Sequence, residues 1–405
     1  MKMNETPSAN RVHIAFFGRR NAGKSSLVNA VTGQNLALVS NVKGTTTDPV
    51  YKAMELLPLG PVVIIDTPGF DDEGELGELR VNRAKKVLNK TDAAVLALDG
   101  ELPPETPLSD AEEELINAFT TRNIPYIVVR NKSDLCNADS MKAASGEILP
   151  VSAKTGFNIN LLKEKLAVLA MPQEPDKRLV ADLIQPLDLV ILVIPIDKAA
   201  PKGRLILPQQ QVIRDILEAG GIAASVRESE LEQTLAKLGK KPALVITDSQ
   251  AFELVSAVVP KEIPLTSFSI LFARYKGFLE TSVRGASALD TLQDGDKILI
   301  CEGCTHHRQC DDIGTVKLPR WIKNHSAKEP DFSFCSGGDF PQDLSAYKLV
   351  IHCGACMLNE REMQYRRLHA ESQNIPFTNY GITIAHIQGI LERSIAMLNV
   401  DREGQ

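Results

Sequence analysis

The stretch HIAFFGRRNAGKS (13–25) restricts the fold more than any other in the chain. HIAFFG has the bulky apolar run of a buried strand, and KSSLVNAVTG (24–33) carries apolar residues at helical spacing. Between them GRRNAGKS (18–25) fits the spacing G-x-x-x-x-G-K-S/T. A strand that turns through glycines into a helix aims backbone N–H groups and the positive helix end at one point, which makes a phosphate cradle. Gly18 and Gly23 let the backbone close in, and Ala22 and Ser26 complete the loop and first turn. Lys24 is expected to reach the β and γ phosphates of a nucleotide, and Ser25 to ligate Mg2+. The rival reading, a chance glycine-rich turn, leaves the flanking strand and helix without a purpose.

Further apolar segments repeat the alternation: VVIID (62–66), AAVLAL (93–98), YIVVRN (126–131) and EILPVS (147–152), with helical patterns between them. That order predicts an α/β fold with a mostly parallel sheet covered by helices. Three blocks are expected: 8–170, then 178–264 after the linker-like MPQEPDKR (171–178), then 265–400. The second is α/β, with DLVILVIPI (188–196) and PALVITD (242–248) as strands. The third holds KILICEG (297–303) and YKLVIHCG (347–354), each a strand entering a turn, and a polar helix, NEREMQYRRLHAESQN (359–374). No internal repeat and no long low-complexity segment is expected.

Net charge is −6 and the pI about 5.8, too acidic for a general binder of nucleic acid or membrane surface. The longest apolar run, LVILVI (189–194), falls far short of the roughly 18 residues of a membrane span. The amino terminus lacks a secretory pattern. A cytoplasmic protein is therefore expected. There, clustered cysteines point to metal or redox chemistry rather than to disulfides.

Four more motifs follow in the first block. VVIIDTPG (62–69) places Asp66 to hold Mg2+ through water and Gly69 to offer its N–H to a γ-phosphate. NKSD (131–134) resembles the N-K-x-D guanine-specificity motif of GTPases, in which the aspartate, here Asp134, accepts hydrogen bonds from guanine that adenine cannot supply. Asn131 and Lys132 fill its other positions, and VSAK (151–154) resembles the accompanying S-A-K motif through Ser152, Ala153 and Lys154. GTTTD (44–48) resembles switch I, with Thr46 expected to sense Mg2+. The order and spacing resemble those of a translation-factor-type GTPase. Phe70 stands where Ras-like enzymes place a water-orienting glutamine, so intrinsic GTP hydrolysis is expected to be slow. Asn21 resembles the loop asparagine of potassium-activated, tRNA-modification-type GTPases, in which K+ takes the place of an arginine finger; the alternative is a loop residue tolerating an unusual φ. Glu75 and Glu78 are either water-positioning groups or solvated switch carboxylates.

The third block carries CEGCTHHRQC (301–310) and, further on, HCGAC (352–356). Cys304-x-His306 and His352-Cys353-x-x-Cys356 each follow an apolar strand candidate, so both are expected at one end of a sheet. By spacing alone the set suits zinc, an iron–sulfur cluster or a reactive dithiol. A GTPase of this type joined to C-x-H…H-C-x-x-C resembles the FeFe-hydrogenase maturation GTPases over nearly the whole chain, including IPIDKAAPKGRLILPQQQ (194–211) and CTHH…DDIG…KLPRW (304–321). The resemblance implies three α/β domains: GTPase, dimerisation and cluster-binding. It implies a 4Fe-4S cluster on Cys304, Cys353 and Cys356, with His306 or His352 as candidate fourth ligands. It further implies GTP/GDP, Mg2+ and K+ as cofactors and a homodimer. Such a scaffold would accept a transient di-iron precursor from two radical-SAM maturases and deliver it to apo-FeFe-hydrogenase, without nucleic-acid or membrane partners.

Cys301 is expected to pack as a small apolar residue, and Cys310 as a loop thiol or surrogate ligand. Cys136 and Cys335 are expected to be structural. Arg320, Trp321 and Lys323 are expected to flank a loop near the cluster segment, lining the path of an anionic precursor or simply solvated. Two rival functions remain at this level: an RNA-processing or ribosome-assembly GTPase with a structural zinc module, and a thiol-based redox sensor.

Overall fold

Strand β1 (Val12–Gly18) buries side chains on both faces, which requires covering layers on both sides. Ile14 and Phe16 pack with Leu27 and Val31 of the helix Lys24–Thr32 and with Leu162 and Leu166 of the helix Ile159–Leu169. Ala15 and Phe17 pack the opposite way, against Leu115 and Phe119 of the helix Asp110–Thr121. Each fully buried Phe contributes about 1.5–3 kcal/mol relative to an exposed one. The computed structural model describes residues 6–34, 48–69, 83–84, 86–103, 106–135, 148–170, 177–196, 205–303 and 312–398. The chain divides into two compact units, Met1–Pro175 and Asp176–Gln405.

In the first unit, β1 joins β2 (Val50–Leu56), β3 (Gly60–Asp66), β4 (Ala93–Asp99), β5 (Tyr126–Asn131) and β6 (Ile148–Pro150) in the order β2-β3-β1-β4-β5-β6. All pairings are parallel except β2 with β3. The order reverses beside β1, which opens a crevice at its carboxyl end.

The second unit holds two four-stranded parallel sheets on one continuous core. One comprises β7 (Leu189–Val193), β8 (Ile222–Val226), β9 (Leu244–Thr247) and β10 (Leu265–Ser267), in the order β10-β9-β7-β8. The other comprises β11 (Lys297–Glu302), β12 (Asp331–Ser336), β13 (Leu349–His352) and β14 (Phe377–Asn379), in the order β12-β11-β13-β14. The middle sheet takes its last strand from beyond residue 264, where the second block was expected to close. The chain is α/β throughout, with a P-loop domain followed by two smaller α/β domains.

The absence of an internal repeat is corrected by the structure. Read from opposite edges, both sheets run fourth, third, first, second in chain order. That equivalence aligns PLTSFSILFARYKGFLETSV (264–283) with PFTNYGITIAHIQGILERSI (376–395). Ser267 Oγ caps the helix Phe268–Tyr275 by accepting from Ile270 N at 3.3 Å, and Asn379 Oδ1 caps the helix Tyr380–Ile387 by accepting from Ile382 N at 2.8 Å. Ahead of each sheet the same turn recurs. Gln185 N donates to Asp188 Oδ2 at 2.9 Å and Gln293 N to Asp296 Oδ2 at 2.8 Å, with left-handed Leu187 and Gly295 inside the two turns. The halves exchange cover, since the helix Leu279–Ala286 packs on β14 and the helix Leu391–Ile395 packs on β10.

Gly285 makes the first of these contacts close. A Cβ there would lie 2.2 Å from the Phe377 carbonyl oxygen. Gly285→Ala must push the helix off β14 and is expected to destabilise this unit by about 1–3 kcal/mol. Urea unfolding followed by the fluorescence of Trp321, the single tryptophan, measures the loss.

Candidate functional site

The glycine-rich loop leaves the carboxyl end of β1 as its spacing predicts. Gly18 (φ 151) and Gly23 (φ 79) occupy backbone conformations that L side chains rarely adopt. A Cβ at Gly23 would lie 2.2 Å from Asn131 Nδ2, so this position excludes a side chain twice over. Lys24 is buried, and its Nζ donates to the carbonyls of Gly18 and Arg19, both at 2.8 Å. The ammonium therefore sits inside the loop. Ser25 Oγ donates to Asp66 Oδ2 at 2.6 Å, bringing the two expected Mg2+ groups together. Asp66 is buried, and its Oδ1 has no hydrogen-bond partner. Burial raises its pKa, against the opposing pull of the Ser25 hydroxyl and the Lys24 charge. A buried carboxylate oxygen without a donor, beside a hydroxyl and an ammonium, suits a divalent cation and phosphates. Asn21 has φ 63, a left-handed conformation that asparagine tolerates. Ser26 lies in the first turn of the helix, and Gly69 ends the described segment after β3.

The base-recognition motifs meet the loop through one residue. Asn131 Nδ2 donates to Ala22 O at 3.1 Å and Gly23 O at 3.4 Å, while its Oδ1 accepts from Ala153 N at 3.1 Å. The amide thus staples the phosphate loop to the segment after β6. Asp134 is exposed and accepts from Ser152 Oγ at 2.6 Å, a bond that lowers its pKa and keeps it an acceptor. At Lys132 burial works against the charge, but Glu101 and Asp99 outweigh it and hold the ammonium in place. Lys154 is exposed beside them in sequence.

In the third sheet, β11 lies between β12 and β13, so its order also reverses and leaves a crevice at the carboxyl ends of β11 and β13. Register pairs Cys301 with His352, and Cys353 N donates to Cys301 O at 2.9 Å. The chain leading into residue 304 and the segment holding Cys353 and Cys356 therefore leave the sheet side by side. Cys353 Sγ accepts from Gly303 N at 3.1 Å and Ala355 N at 3.3 Å. Two backbone N–H groups thus point at this one sulfur. Ala355 takes the left-handed conformation, φ 56, that turns its N–H inward. These features fit a thiolate-ligated metal group at this corner.

Some groups there were not singled out from sequence. Lys276 is buried and donates to the carbonyls of Ala355 and Leu358. Burial pulls its pKa down to about 8, while thiolate character at Cys356 and Cys353 would raise it. A cation here offsets the negative charge of a thiolate site. Arg366, wholly buried in the helix Glu360–Ser372 that reads as merely polar, bridges Glu362 to His352. His352 Nδ1 lies 3.0 Å from Cys353 O and Nε2 lies 2.9 Å from Arg366 Nη1, so both ring nitrogens are engaged. Burial, then the Arg366 charge, lowers its pKa to about 3 and keeps it neutral. No local sequence signal marks this network, since Glu362 and Arg366 read as one more pair on a polar helix.

Cys301 is buried with its Sγ 2.9 Å from that of Cys335, so both sit in strands rather than at the crevice. Arg320, Trp321 and Lys323 lie on the helix Leu318–Ser326, whose Leu318, Trp321 and Ile322 pack on the core. Thr46, Phe70, Glu75, Glu78, Cys136, Cys304, His306 and Cys310 lie outside the described residues. Among the described residues no helix is long and apolar enough to cross a membrane.

Comparison with known proteins matches each domain separately. The family model of the hydrogen maturase F dimerization domain matches residues 179–277 and that of the hydrogen maturase F tetramerization domain matches 280–397. A 50S ribosome-binding GTPase model matches 13–132. The tRNA modification GTPase MnmE of Mannheimia succiniciproducens is 35% identical over 156 residues, 38% of this chain and 34% of that protein. GTPase Der of Wolinella succinogenes is 34% identical over 179 residues, 41% of this chain and 37% of that protein. The chain thus spans about a third of the length of these curated relatives. A solved structure of an Aquifex aeolicus Era variant bound to GDP.AlF4- is 22% identical, covering 61% of this chain and 97% of that one, with a TM-score of 0.36.

Because burial raises the Asp66 pKa, its ionised form costs stability in the empty fold above that folded pKa, and the cost fades as pH falls through it. Asp66→Asn is expected to raise the thermal midpoint of the nucleotide-free chain at neutral pH, by an amount that shrinks in mild acid. It is also expected to weaken Mg2+-dependent nucleotide binding. Thermal melts at the two pH values and a nucleotide titration check both expectations.

Proposed function

We propose, for a chain that belongs to the HydF-type hydrogenase maturation GTPases, a GTP-hydrolysing scaffold that carries an iron–sulfur cluster and passes a di-iron precursor to apo-FeFe-hydrogenase. The observation that carries this reading is the thiol corner, where Cys353 and Cys356 leave β13 beside the segment entering Cys304, at a crevice the topology leaves open.

In this reading Gly18, Asn21, Ala22, Gly23, Lys24, Ser25 and Ser26 wrap the nucleotide phosphates, and Asn131, Lys132, Asp134, Ser152, Ala153 and Lys154 hold the guanine. Lys24 turns from its loop carbonyls toward phosphate charge. Ser25, Asp66 and Thr46 hold Mg2+, and Gly69 senses the γ-phosphate. K+ at Asn21 supplies charge that Phe70 cannot, so the intrinsic rate is low and potassium-dependent. GTP hydrolysis then alters domain contacts and partner exchange, because switch loops order around a γ-phosphate.

Cys304, Cys353 and Cys356 would hold a 4Fe-4S cluster, whose chemistry when bound is to offer an iron position with an exchangeable ligand. Lys276 balances the site's negative charge from beneath. His352, with both nitrogens engaged, acts by fixing the end of β13, which leaves the fourth position to His306 or to an exchangeable ligand. The di-iron precursor is cargo, received from two radical-SAM maturases. Self-association through the two C-terminal domains, at least as a homodimer, completes the scaffold in a cytoplasmic setting.

The rival reading, an RNA-processing GTPase with a zinc module, draws on the relatives named above and predicts a colourless zinc protein. Anaerobic purification is expected instead to give a brown protein with about four irons per chain, and Cys353→Ser or Cys356→Ser to lose most of that iron. A zinc-loaded chain with no iron overturns the proposal. Separately, GTP turnover is expected to be faster in KCl than in NaCl at equal ionic strength, and equal rates remove the role given to K+.

A further inference from the structure

The geometry points to a second metal site, for a divalent d-block cation of the zinc class, formed by Asp290, His325 and His386. His325 Nε2 lies 2.9 Å from Asp290 Oδ1, and His386 Nε2 lies 3.0 Å from both Asp290 oxygens. One ligand atom from each residue falls within 4.8 Å of the others. The two His–Asp separations suit neighbouring ligands on bonds of about 2.0–2.2 Å. Two imidazoles and one carboxylate suit zinc and its first-row neighbours.

Three separate elements converge to make this cluster. Asp290 comes from the short helix Ser287–Thr291, His325 from the last turn of Leu318–Ser326, and His386 from the last turn of Tyr380–Ile387. Both longer helices thus point their negative ends toward a cation. The imidazole side chains are 24% and 22% exposed and the carboxylate 51%, so an ion can enter and keep water on its open positions.

The internal duplication supplies a control within the same chain. Asp182 stands in the first half where Asp290 stands in the second, each seven residues before its sheet, and Arg274 stands where His386 stands. Arg274 Nη1 donates to Asp182 Oδ1 at 3.0 Å. A guanidinium neutralises that carboxylate permanently and offers no lone pair. In the second half the same carboxylate meets two imidazoles, which do carry lone pairs. A bare hydrogen-bonded triad is the competing account. It is satisfied if each Nε2 carries its proton, and it requires no cation.

Cobalt(II) separates the two, because thiolate sites give intense sulfur-to-cobalt charge-transfer absorption and nitrogen–oxygen sites only weak visible bands. The full-length chain carrying Cys353→Ser and Cys356→Ser is titrated with Co2+ alone. Weak visible bands saturating at one equivalent, without charge-transfer absorption, are expected. His325→Ala and Asp290→Asn are expected to weaken binding by at least about tenfold, the lower bound for losing even an outer partner. His386→Arg, which rebuilds the pair of the first half, is expected to keep the urea midpoint and lose the cobalt bands. No cobalt binding in the parent chain, or binding that survives all three substitutions, overturns the proposal.

Discussion

A parallel strand cannot return to its neighbour without a crossover, and where the crossovers part to opposite sides the strand ends stay uncovered. Both candidate sites exist because of that constraint. At β1 the uncovered end feeds a glycine-rich loop, and Lys24, Ser25 and Asp66 gather there from strand ends and a helix start. At β11 and β13 it feeds the segment that leads into residue 304 and the segment that holds Cys353 and Cys356, held in register by the bond from Cys353 N to Cys301 O.

Charge settles how the two sites differ. The nucleotide crevice buries an anion, Asp66, beside a cation, Lys24, and leaves one carboxylate oxygen without a donor. The thiol corner has two cations near it, Lys276 beneath the turn and Arg366, paired with Glu362, behind His352. Removing Arg366 would leave Glu362 buried without its partner, which is the costly way to break an ion pair. The first arrangement invites a metal ion, and the second tolerates a negatively charged group.

Long apolar strands and motifs with fixed spacing were legible in the sequence. β1, β3, β4, β5, β7, β9, β11 and β13 all fall where apolar runs predict them. β2 was not, because VYKAMEL is an exposed antiparallel edge whose residues need no apolar pattern. β12, DFSFCS, was hidden for the same reason, as a partly exposed edge. The polar helix 360–372 concealed Arg366, since nothing local tells a buried arginine from a solvated one. His352 reads as a ligand from its place beside Cys353, and only the fold shows its nitrogens turned inward. The repeat escaped notice because the connections differ in length between the halves, so no single period links them.

That repeat bears on what each half is free to become. The equivalent residues Ser269 and Gly381 meet where the halves touch, Gly381 N donating to Ser269 Oγ at 3.3 Å. A Cβ on Gly381 would fall 2.8 Å from that of Ser269. Two serines would collide there, and two glycines would leave a gap. A symmetric pair of separate chains must present the same residue on both sides of its axis. A pair joined in one polypeptide escapes that rule, so one half can carry thiols and imidazoles where the other carries an arginine.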